Sequence, residues 1–213
     1  TVHQNRRYDP DYLTVKRLYD ENTLGKIFRI ESRVSGSRGI PGDWRQRKAQ
    51  GGGMILDWGI HILDQALMMF DDKKLDSVYC QVTHITNDEV DDGFVATLNY
   101  KDDSAYVISV GTNNFIDYPR WHVQGINGSA ICEWDLSGKV VMVSDWENKD
   151  AVPVRTGVGL TKTMAPRTDD SIQAFPLPYV EDKGFSGEHT LYNNICDVIE
   201  GKAEPIVTHA QQR

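Results

Sequence analysis

The stretch from residue 51 to residue 69 constrains this chain more than any other. It opens with three glycines, which break the preceding structure, and continues as a long apolar run. At helical spacing one face of this run carries Leu56, Ile60, Leu63 and Leu67, and an adjoining face carries Ile55, Trp58, Ile62 and Met69. A helix that is apolar over so much of its surface is expected to be largely buried.

The same helix also carries a narrow polar strip. Asp57, His61 and Asp64 follow one another at positions i, i+4 and i+7, so they share one side of the helix. Polar groups inside a core are costly unless they are paired or used. The strip is therefore expected to face a partner, a metal or a cleft, and the cleft is the interpretation that we favour.

Asp57 and His61 form the candidate for proton-transfer chemistry. A carboxylate one turn from an imidazole can raise the histidine pKa, orient the ring and fix its tautomer. That arrangement suits a general acid or base. A buried structural hydrogen bond explains the spacing equally well. A zinc or iron pair is a third alternative, but no third ligand is evident, so we expect no metal site.

The loop over residues 36–50 holds a second candidate, Trp44 beside Arg45. An indole next to a permanent cation suits a flat ring and a phosphate or carboxylate, although a surface stack fits the pair as well. The three glycines that follow could present backbone N–H groups to an anion. They could equally form a turn in which two backbones approach closely.

Composition excludes several classes of function. The length of 213 residues suits one domain with a real core, or at most two small ones. A net charge of −8 argues against nucleic acid or an anionic membrane as the main partner. No apolar run reaches the roughly 20 residues of a membrane span. The three scattered cysteines, Cys80, Cys132 and Cys196, suggest reduced thiols in a cytoplasmic protein.

The order of elements predicts the fold class. A helix capped by Asp9 begins at Pro10 and ends before Gly25, and another runs from Gly187 to Gly201. Strands are predicted near residues 26–35, 75–85, 93–100, 104–112, 120–126, 130–134 and 139–143. We assign no structure to residues 145–185. This order predicts an α+β fold, with an open, mostly antiparallel sheet and helices packed on one face.

Taken together, these motifs resemble a known family. Their order is Gln4-Asn5-Arg6-Arg7-Tyr8-Asp9-Pro10, Leu24-Gly25-Lys26-Ile27, Trp44-Arg45, Gly51-Gly52-Gly53 with Asp57-Trp58-Gly59-Ile60-His61 and Asp64, Gly125, Gly128-Ser129, and Ile199-Glu200-Gly201-Lys202 before Pro205. The chain is similar over nearly its whole length to the second domain of the glucose–fructose oxidoreductase, inositol dehydrogenase and MocA family (Gfo/Idh/MocA).

The resemblance implies an activity and a set of roles. Family members bind NAD or NADP in an N-terminal Rossmann domain, and the sheet of their second domain often forms the subunit interface. By resemblance, His61 takes the proton of a substrate hydroxyl, and Asp57 assists it and binds substrate. Trp44 and Arg45 would lie near the cofactor, and Arg7 or its neighbour Arg6 near the substrate. The implied substrate is a sugar, inositol or related polyol, in a homodimer or homotetramer.

The chain departs from the family pattern in two places. It has neither a Gly-x-Gly-x-x-Gly after a first strand nor the family's Glu-Lys-Pro motif. We therefore expect residues 1–213 to be an excised C-terminal domain, inactive alone, with the cofactor held mainly by an N-terminal domain. The competing interpretation is a non-catalytic assembly module in which Asp57 and His61 are a structural pair. A metal-dependent hydrolase is a weaker third.

Overall fold

An open sheet of eight strands organises the structure, a computed structural model that describes residues 1–144, 155–157, 160–162, 172–180 and 187–212. Its strands are β1 (Ile27–Ser35), β2 (Leu75–Thr83), β3 (Gly93–Tyr100), β4 (Ala105–Gly111), β5 (Trp121–Gly125), β6 (Gly128–Cys132), β7 (Gly138–Val143) and β10 (Ile172–Pro176). Their order across the sheet is β10-β7-β6-β5-β1-β4-β3-β2. The short strands β8 (Arg155–Gly157) and β9 (Leu160–Lys162) pair separately.

The sheet is antiparallel except at its centre. β1 and β4 run parallel, with Ile30 opposite Tyr106, and every other pair of neighbours is antiparallel. A parallel pair needs a long connection, and here the chain passes through a helix and two strands before it returns beside β1. The predicted fold class, an open and mostly antiparallel sheet with helices, is confirmed.

Within the described ranges, three α-helices accompany the sheet: α1 (Pro10–Asp20), α2 (Ile60–Met69) and α3 (Gly187–Ile199). α1 starts with a proline after Asp9, as predicted, although the Asp9 side chain makes no capping hydrogen bond. The helix ends at Asp20, earlier than predicted, and a turn over residues 21–24 leads to Gly25 at a φ of +67°. A short 3₁₀ helix, Asn5–Tyr8, precedes α1. Two more 3₁₀ turns, Trp44–Gln46 and Lys48–Gln50, lie in the loop after β1, and a π-helical turn, Ile55–Gly59, leads into α2.

The core lies between α1, α2 and one face of the sheet. Along β3 the alternate residues Phe94, Ala96, Leu98 and Tyr100 are buried. A chain of aromatic rings crosses this core: the ring centroids of Tyr19 and Phe70 lie 5.3 Å apart, those of Phe70 and Tyr106 5.5 Å, and those of Tyr106 and Trp121 6.5 Å. These rings join α1, the end of α2 and the middle strands into one packed unit.

The expectation that α2 is largely buried is wrong for one of its two apolar faces. The side that packs on the sheet consists of Ile62, Ala66 and Met69, all buried. The face formed by Leu56, Ile60, Leu63 and Leu67, here named the apolar stripe, is 36–60% exposed. The reason is geometric: one side of the helix packs on the sheet, and another side, with Asp64 and Gln65, contacts the Asn5–Tyr8 segment. The third side is therefore left partly exposed to solvent by the described residues.

The sequence also predicts most of the later strands and the last helix. The strands between residues 75 and 143 and the helix from Gly187 are confirmed to within a few residues. Most of residues 145–185, to which no structure was assigned, lie outside the described residues. Cys80, Cys132 and Cys196 are free thiols. Within the described ranges, no helix is both long and apolar enough to cross a membrane.

Candidate functional site

The candidate site lies where the end of β1, the start of α2 and the N-terminal segment meet. β1 ends at Ser35 and leads into the loop that carries Trp44 and Arg45. α2 presents His61 and Asp64 to the N-terminal residues Gln4 and Arg7, and Gln65 Nε2 donates to the carbonyl oxygen of Arg6 at 2.6 Å. Two members of the strip therefore face polar partners on the N-terminal segment.

His61 is oriented by Gln4. Its Nδ1 lies 2.8 Å from Oε1 of Gln4, a side chain that is only 4% exposed. An amide oxygen can only accept a hydrogen bond, so Nδ1 carries the proton and Nε2 keeps its lone pair. The ring is therefore held in the tautomer whose Nε2 can accept a proton.

Asp57 has a different partner from the one expected. Its carboxylate accepts a hydrogen bond from Nε of Arg45 at 2.9 Å, and Nη1 of Arg45 reaches Asp43 at 2.6 Å. The expectation that Asp57 orients the imidazole is therefore corrected, because the Nδ1 that it would hold contacts Gln4 instead. Asp57 remains close enough for its charge to oppose the lowering of the His61 pKa.

The surroundings of His61 favour its neutral form. Burial lowers its pKa, and the positive charge of Arg6 lowers it further, while Asp57 and Asp64 act in the opposite direction. A histidine with a lowered pKa is neutral at pH 7 and can accept a proton at once. Both the tautomer and the charge state thus suit a general base.

Asp64, the third member of the strip, is paired with Arg7. Nε and Nη2 of Arg7 donate to its two carboxylate oxygens at 2.7 and 2.6 Å, and both side chains are buried. The hydrogen bond to Asp64 raises the pKa of Arg7. Substrate binding by Arg7 stays a prediction. The better-placed arginine is Arg6, whose guanidinium lies over the ring of Trp58 at 4.5 Å.

The glycine turn acts by close packing. The N–H groups of Gly51, Gly52 and Gly53 donate to carbonyl oxygens of the preceding loop at 2.9–3.0 Å, so they are already occupied and the anion-binding alternative is not supported. A Cβ on Gly52 would lie 2.4 Å from the carbonyl oxygen of Arg45. This close approach fixes the Arg45 segment against the start of the helix.

Asp91 completes the support of this turn. Its carboxylate accepts from the N–H of Ile55 at 2.8 Å, and its carbonyl accepts from the N–H of Met54 at 3.0 Å. Gly53, at a φ of +106°, leaves room for that carboxylate. Asp91 therefore fixes the π-helical turn that holds Asp57.

Trp44 and Arg45 form the predicted stack. The guanidinium carbon of Arg45 lies 4.6 Å from the centroid of the Trp44 ring, and Trp44 is 41% exposed. An exposed indole fits a flat heteroaromatic ring such as that of a nicotinamide. The guanidinium of Arg45 is paired with Asp43 and Asp57, which fixes the cation beside the indole and ties this surface to the turn that leads into the helix of His61.

Several features of the site escape sequence reasoning. Gln4 and His61 are separated by 57 residues, and no spacing rule links them. The same holds for Asp91 and the glycine turn. Among the described residues, no group of three or more His, Cys, Asp or Glu side chains is arranged to hold a metal ion.

Comparison with known proteins gives consistent matches. The sequence model of the GFO/IDH/MocA C-terminal domain matches residues 12–131, more than half of the chain. Scyllo-inositol 2-dehydrogenase (NADP(+)) IolW of Bacillus subtilis is 32% identical over 134 residues, which are 62% of this chain and 36% of that protein. The uncharacterized oxidoreductase YhhX of Escherichia coli is 32% identical over 139 residues, 62% of this chain and 37% of that protein.

Solved structures of related proteins have the same fold as this chain. The NAD-binding protein from Listeria innocua is 44% identical, with a TM-score of 0.85, over 99% of this chain and 60% of that one. A putative oxidoreductase from Yersinia pestis, 24% identical over 99% of this chain and 58% of that one, has the same fold with a TM-score of 0.73. The chain thus spans about 60% of these solved proteins, and its matches span little more than a third of the curated relatives.

Proposed function

This chain belongs to the Gfo/Idh/MocA oxidoreductase family, of which it carries the C-terminal domain, and on that premise we propose that it is the substrate-binding domain of an NAD(P)-dependent dehydrogenase. The proposed substrate is a secondary alcohol of a sugar, inositol or related polyol. The observation that carries the proposal is the 2.8 Å contact of Gln4 with Nδ1 of His61, which leaves Nε2 as a base. The match to a scyllo-inositol dehydrogenase supports the substrate class.

His61 performs the proton transfer in this proposal. Its neutral Nε2 accepts the hydroxyl proton while the C–H bond of the same carbon breaks, and the alcohol becomes a carbonyl. A bound nicotinamide would supply the acceptor for the hydride that leaves this carbon. Gln4 holds the imidazole in place before and after transfer, because its oxygen still accepts from Nδ1–H in the imidazolium.

Asp57 supports the histidine through its charge. Arg45 fixes its carboxylate, and lone pairs remain for a substrate hydroxyl. When His61 becomes positively charged, the nearby carboxylate stabilises the imidazolium. Asp57 therefore combines substrate binding with electrostatic assistance.

We further propose that the chain is one part of a two-domain protein. The cofactor, NAD or NADP, would be held mainly by an N-terminal domain, with Trp44 and Arg45 contributing from this chain. The chain covers 60% of the Listeria innocua NAD-binding protein, which leaves room for such a domain. The exposed apolar stripe also needs a covering surface, because large apolar patches are uncommon on free proteins. The three free thiols support a cytoplasmic location.

A second candidate function, assembly through the sheet, rests on the face that no described helix covers. Tyr79 is 64% exposed on β2, and Val95, its diagonal neighbour on β3, is 44% exposed. We propose that two copies pair through this face, in a homodimer or homotetramer. Sedimentation velocity should show a dimer that Val95→Glu converts to monomer. A strict monomer at high concentration would count against the assembly role.

The dehydrogenase proposal is tested by absorbance of NADH or NADPH in the two-domain protein. A panel of sugars and polyols would be compared between wild type and His61→Ala. Activity lost in the variant, with cofactor binding kept, supports the assignment of His61. Equal activity in both proteins would overturn it.

A further inference from the structure

A pocket of about 200 Å³ adjoins the His61 site, and of the candidate site residues named from the sequence it contains Arg6 but not His61, Asp57, Trp44, Arg45 or Arg7. Its walls combine aromatic rings with charged groups: Arg6, Asp9, Trp58, Arg120, Glu133 and Trp134.

The pocket lies at the same end of the sheet as His61. Ser32 of β1 pairs with Trp121, and Trp121 pairs with Cys132 at the end of β6. The turn after Cys132, which carries Glu133 and Trp134, therefore lies where β1 leads into the loop of Trp44 and Arg45. Trp58 belongs to the turn that enters α2, three residues before His61. Arg6 covers Trp58 and lowers the pKa of His61, so it belongs to both sites.

The floor of the pocket is rigid. Arg120 is only 2% exposed, and its Nε lies 3.1 Å from a carboxylate oxygen of Asp11. Its guanidinium lies 4.4 Å from the ring of Trp121 and 5.4 Å from that of Trp134. The same Asp11 oxygen accepts from Nε1 of Trp121 at 2.7 Å. These contacts fix Arg120 and Trp121 beside Trp134, and they do not fill the pocket.

The charges that line the pocket disfavour an anionic ligand. Its two arginines, Arg6 and Arg120, face three acids, Asp9, Asp11 and Glu133. Arg120 is already paired with Asp11, and Arg6 lies 3.4 Å from Asp9. A phosphate or carboxylate would find no unpaired cation in this pocket, whereas hydroxyl groups can donate to the acids and accept from the arginines.

The rings supply the apolar side of the site. Trp134 is 45% exposed, and Trp58 is half-buried with one face under Arg6. The C–H face of a sugar or cyclitol ring can lie against an exposed indole while its hydroxyls reach the acids. Burial raises the pKa of Asp9 to about 6, so near neutral pH its carboxyl group is mostly ionised and accepts hydrogen bonds from hydroxyl groups.

We propose that this pocket binds the uncharged, polyhydroxylated part of the substrate that lies beyond the hydroxyl facing His61. Trp134 packs against its C–H face, and Glu133 and Asp9 bind its hydroxyls. The inference rests on the proposed dehydrogenase function, and it narrows the substrate to neutral sugars or polyols, excluding their phosphates and acids.

Binding is tested first on this chain, without catalysis. The five tryptophan side chains give separate ¹⁵N–¹H indole signals, which can be followed during titration with myo-inositol, glucose and an inositol phosphate. The neutral compounds should shift the signals of Trp58 and Trp134, and the phosphate should shift them less. Trp134→Ala should abolish the response of Trp58, while Phe28→Ala, an exposed aromatic residue on β1 outside the pocket, should leave it unchanged. No shift at high millimolar concentration would overturn the proposal.

Kinetics in the two-domain protein separate this proposal from the dehydrogenase proposal. Trp134→Ala should raise KM about tenfold with kcat unchanged, and Glu133→Gln should raise KM in the same direction. His61→Ala should instead lower kcat. If the pocket variants keep the wild-type KM, the pocket proposal falls and the dehydrogenase stands. If wild type oxidises no polyol but the indole signals shift, the dehydrogenase proposal falls and the pocket stands.

Discussion

Nδ1 of His61 lies 2.8 Å from the side-chain oxygen of Gln4, and this contact decides what the histidine can do. It joins α2 to the segment that precedes α1, across 57 residues of sequence. Because the oxygen only accepts, the ring presents an unprotonated Nε2. The catalytic competence proposed for His61 thus depends on a glutamine that is itself unable to transfer protons.

Gln4→Leu should keep the volume of this side chain and remove the acceptor. The imidazole would then lose its fixed tautomer, and kcat should fall about tenfold, part of the 10²–10⁴-fold that general-base catalysis supplies. The ¹⁵N shifts of the His61 ring should show a mixture of tautomers in place of one. Gln173→Leu, at an exposed position on β10, is the matched control. An unchanged kcat and an unchanged tautomer in Gln4→Leu would remove Gln4 from the mechanism.

Arg6 and Asp57 should shift the pKa of His61 in opposite directions. Arg6 lowers this pKa and Asp57 raises it, so Arg6→Gln should raise it and Asp57→Asn should lower it further. The neutral ring is the active base, so activity is lost as pH falls through this pKa. The acid limb of kcat/KM should therefore move to higher pH in Arg6→Gln. NMR titration of His61 measures the shifts directly, and shifts of the same sign in both variants would contradict the electrostatic account.

The Arg7–Asp64 pair should matter chiefly for stability. Asp64→Asn leaves a buried guanidinium without its counter-charge, which typically costs about 3–5 kcal/mol in the free energy of unfolding. Asp20→Asn, which breaks the exposed pair with Lys16, should cost less than about 1 kcal/mol. Urea unfolding of the two variants gives the comparison. Equal losses would mean that burial of the Arg7–Asp64 pair has no energetic consequence.

Gly52 should tolerate no side chain. A Cβ added to Gly52 would lie 2.4 Å from the carbonyl oxygen of Arg45. Gly52→Ala must therefore push two backbones apart, which should lower the free energy of unfolding by about 1–3 kcal/mol. The shift should also loosen the Arg45–Asp57 bond and raise KM. Gly42→Ala, where no atom lies within 4 Å of the added Cβ, is the control. Thermal unfolding compares the two, and Gly52→Ala as stable as Gly42→Ala would show that the close approach is unimportant.

Local patterns in the sequence predict most of the elements but not how they pack. Alternation and turn residues place the strands after residue 75, because each strand depends on its own residues and its nearest turns. The parallel pairing of β1 with β4 depends on the whole chain between them. Periodicity identified both apolar faces of α2, but it could not decide which one the sheet would cover, and the apolar stripe remained exposed.

In the candidate site, too, the sequence predicts the local spacing of residues but not their partners. The spacing of Asp57, His61 and Asp64 predicts one polar side of a helix; in the structure His61 and Asp64 belong to α2, whereas Asp57 lies in the π-helical turn before it. Their partners, Arg45, Gln4 and Arg7, come from distant segments, and only the folded chain assigns each partner to its residue. For this reason the sequence paired Asp57 with His61, although each has another partner in the structure.

The most direct test of the central claim is oxidation of polyols by the two-domain protein, wild type beside His61→Ala, followed by NADH or NADPH absorbance. The account predicts turnover in wild type and a loss of at least about 10²-fold in kcat in the variant, with cofactor affinity unchanged. Turnover in His61→Ala equal to that of wild type would contradict it, because the proton would then leave by another route.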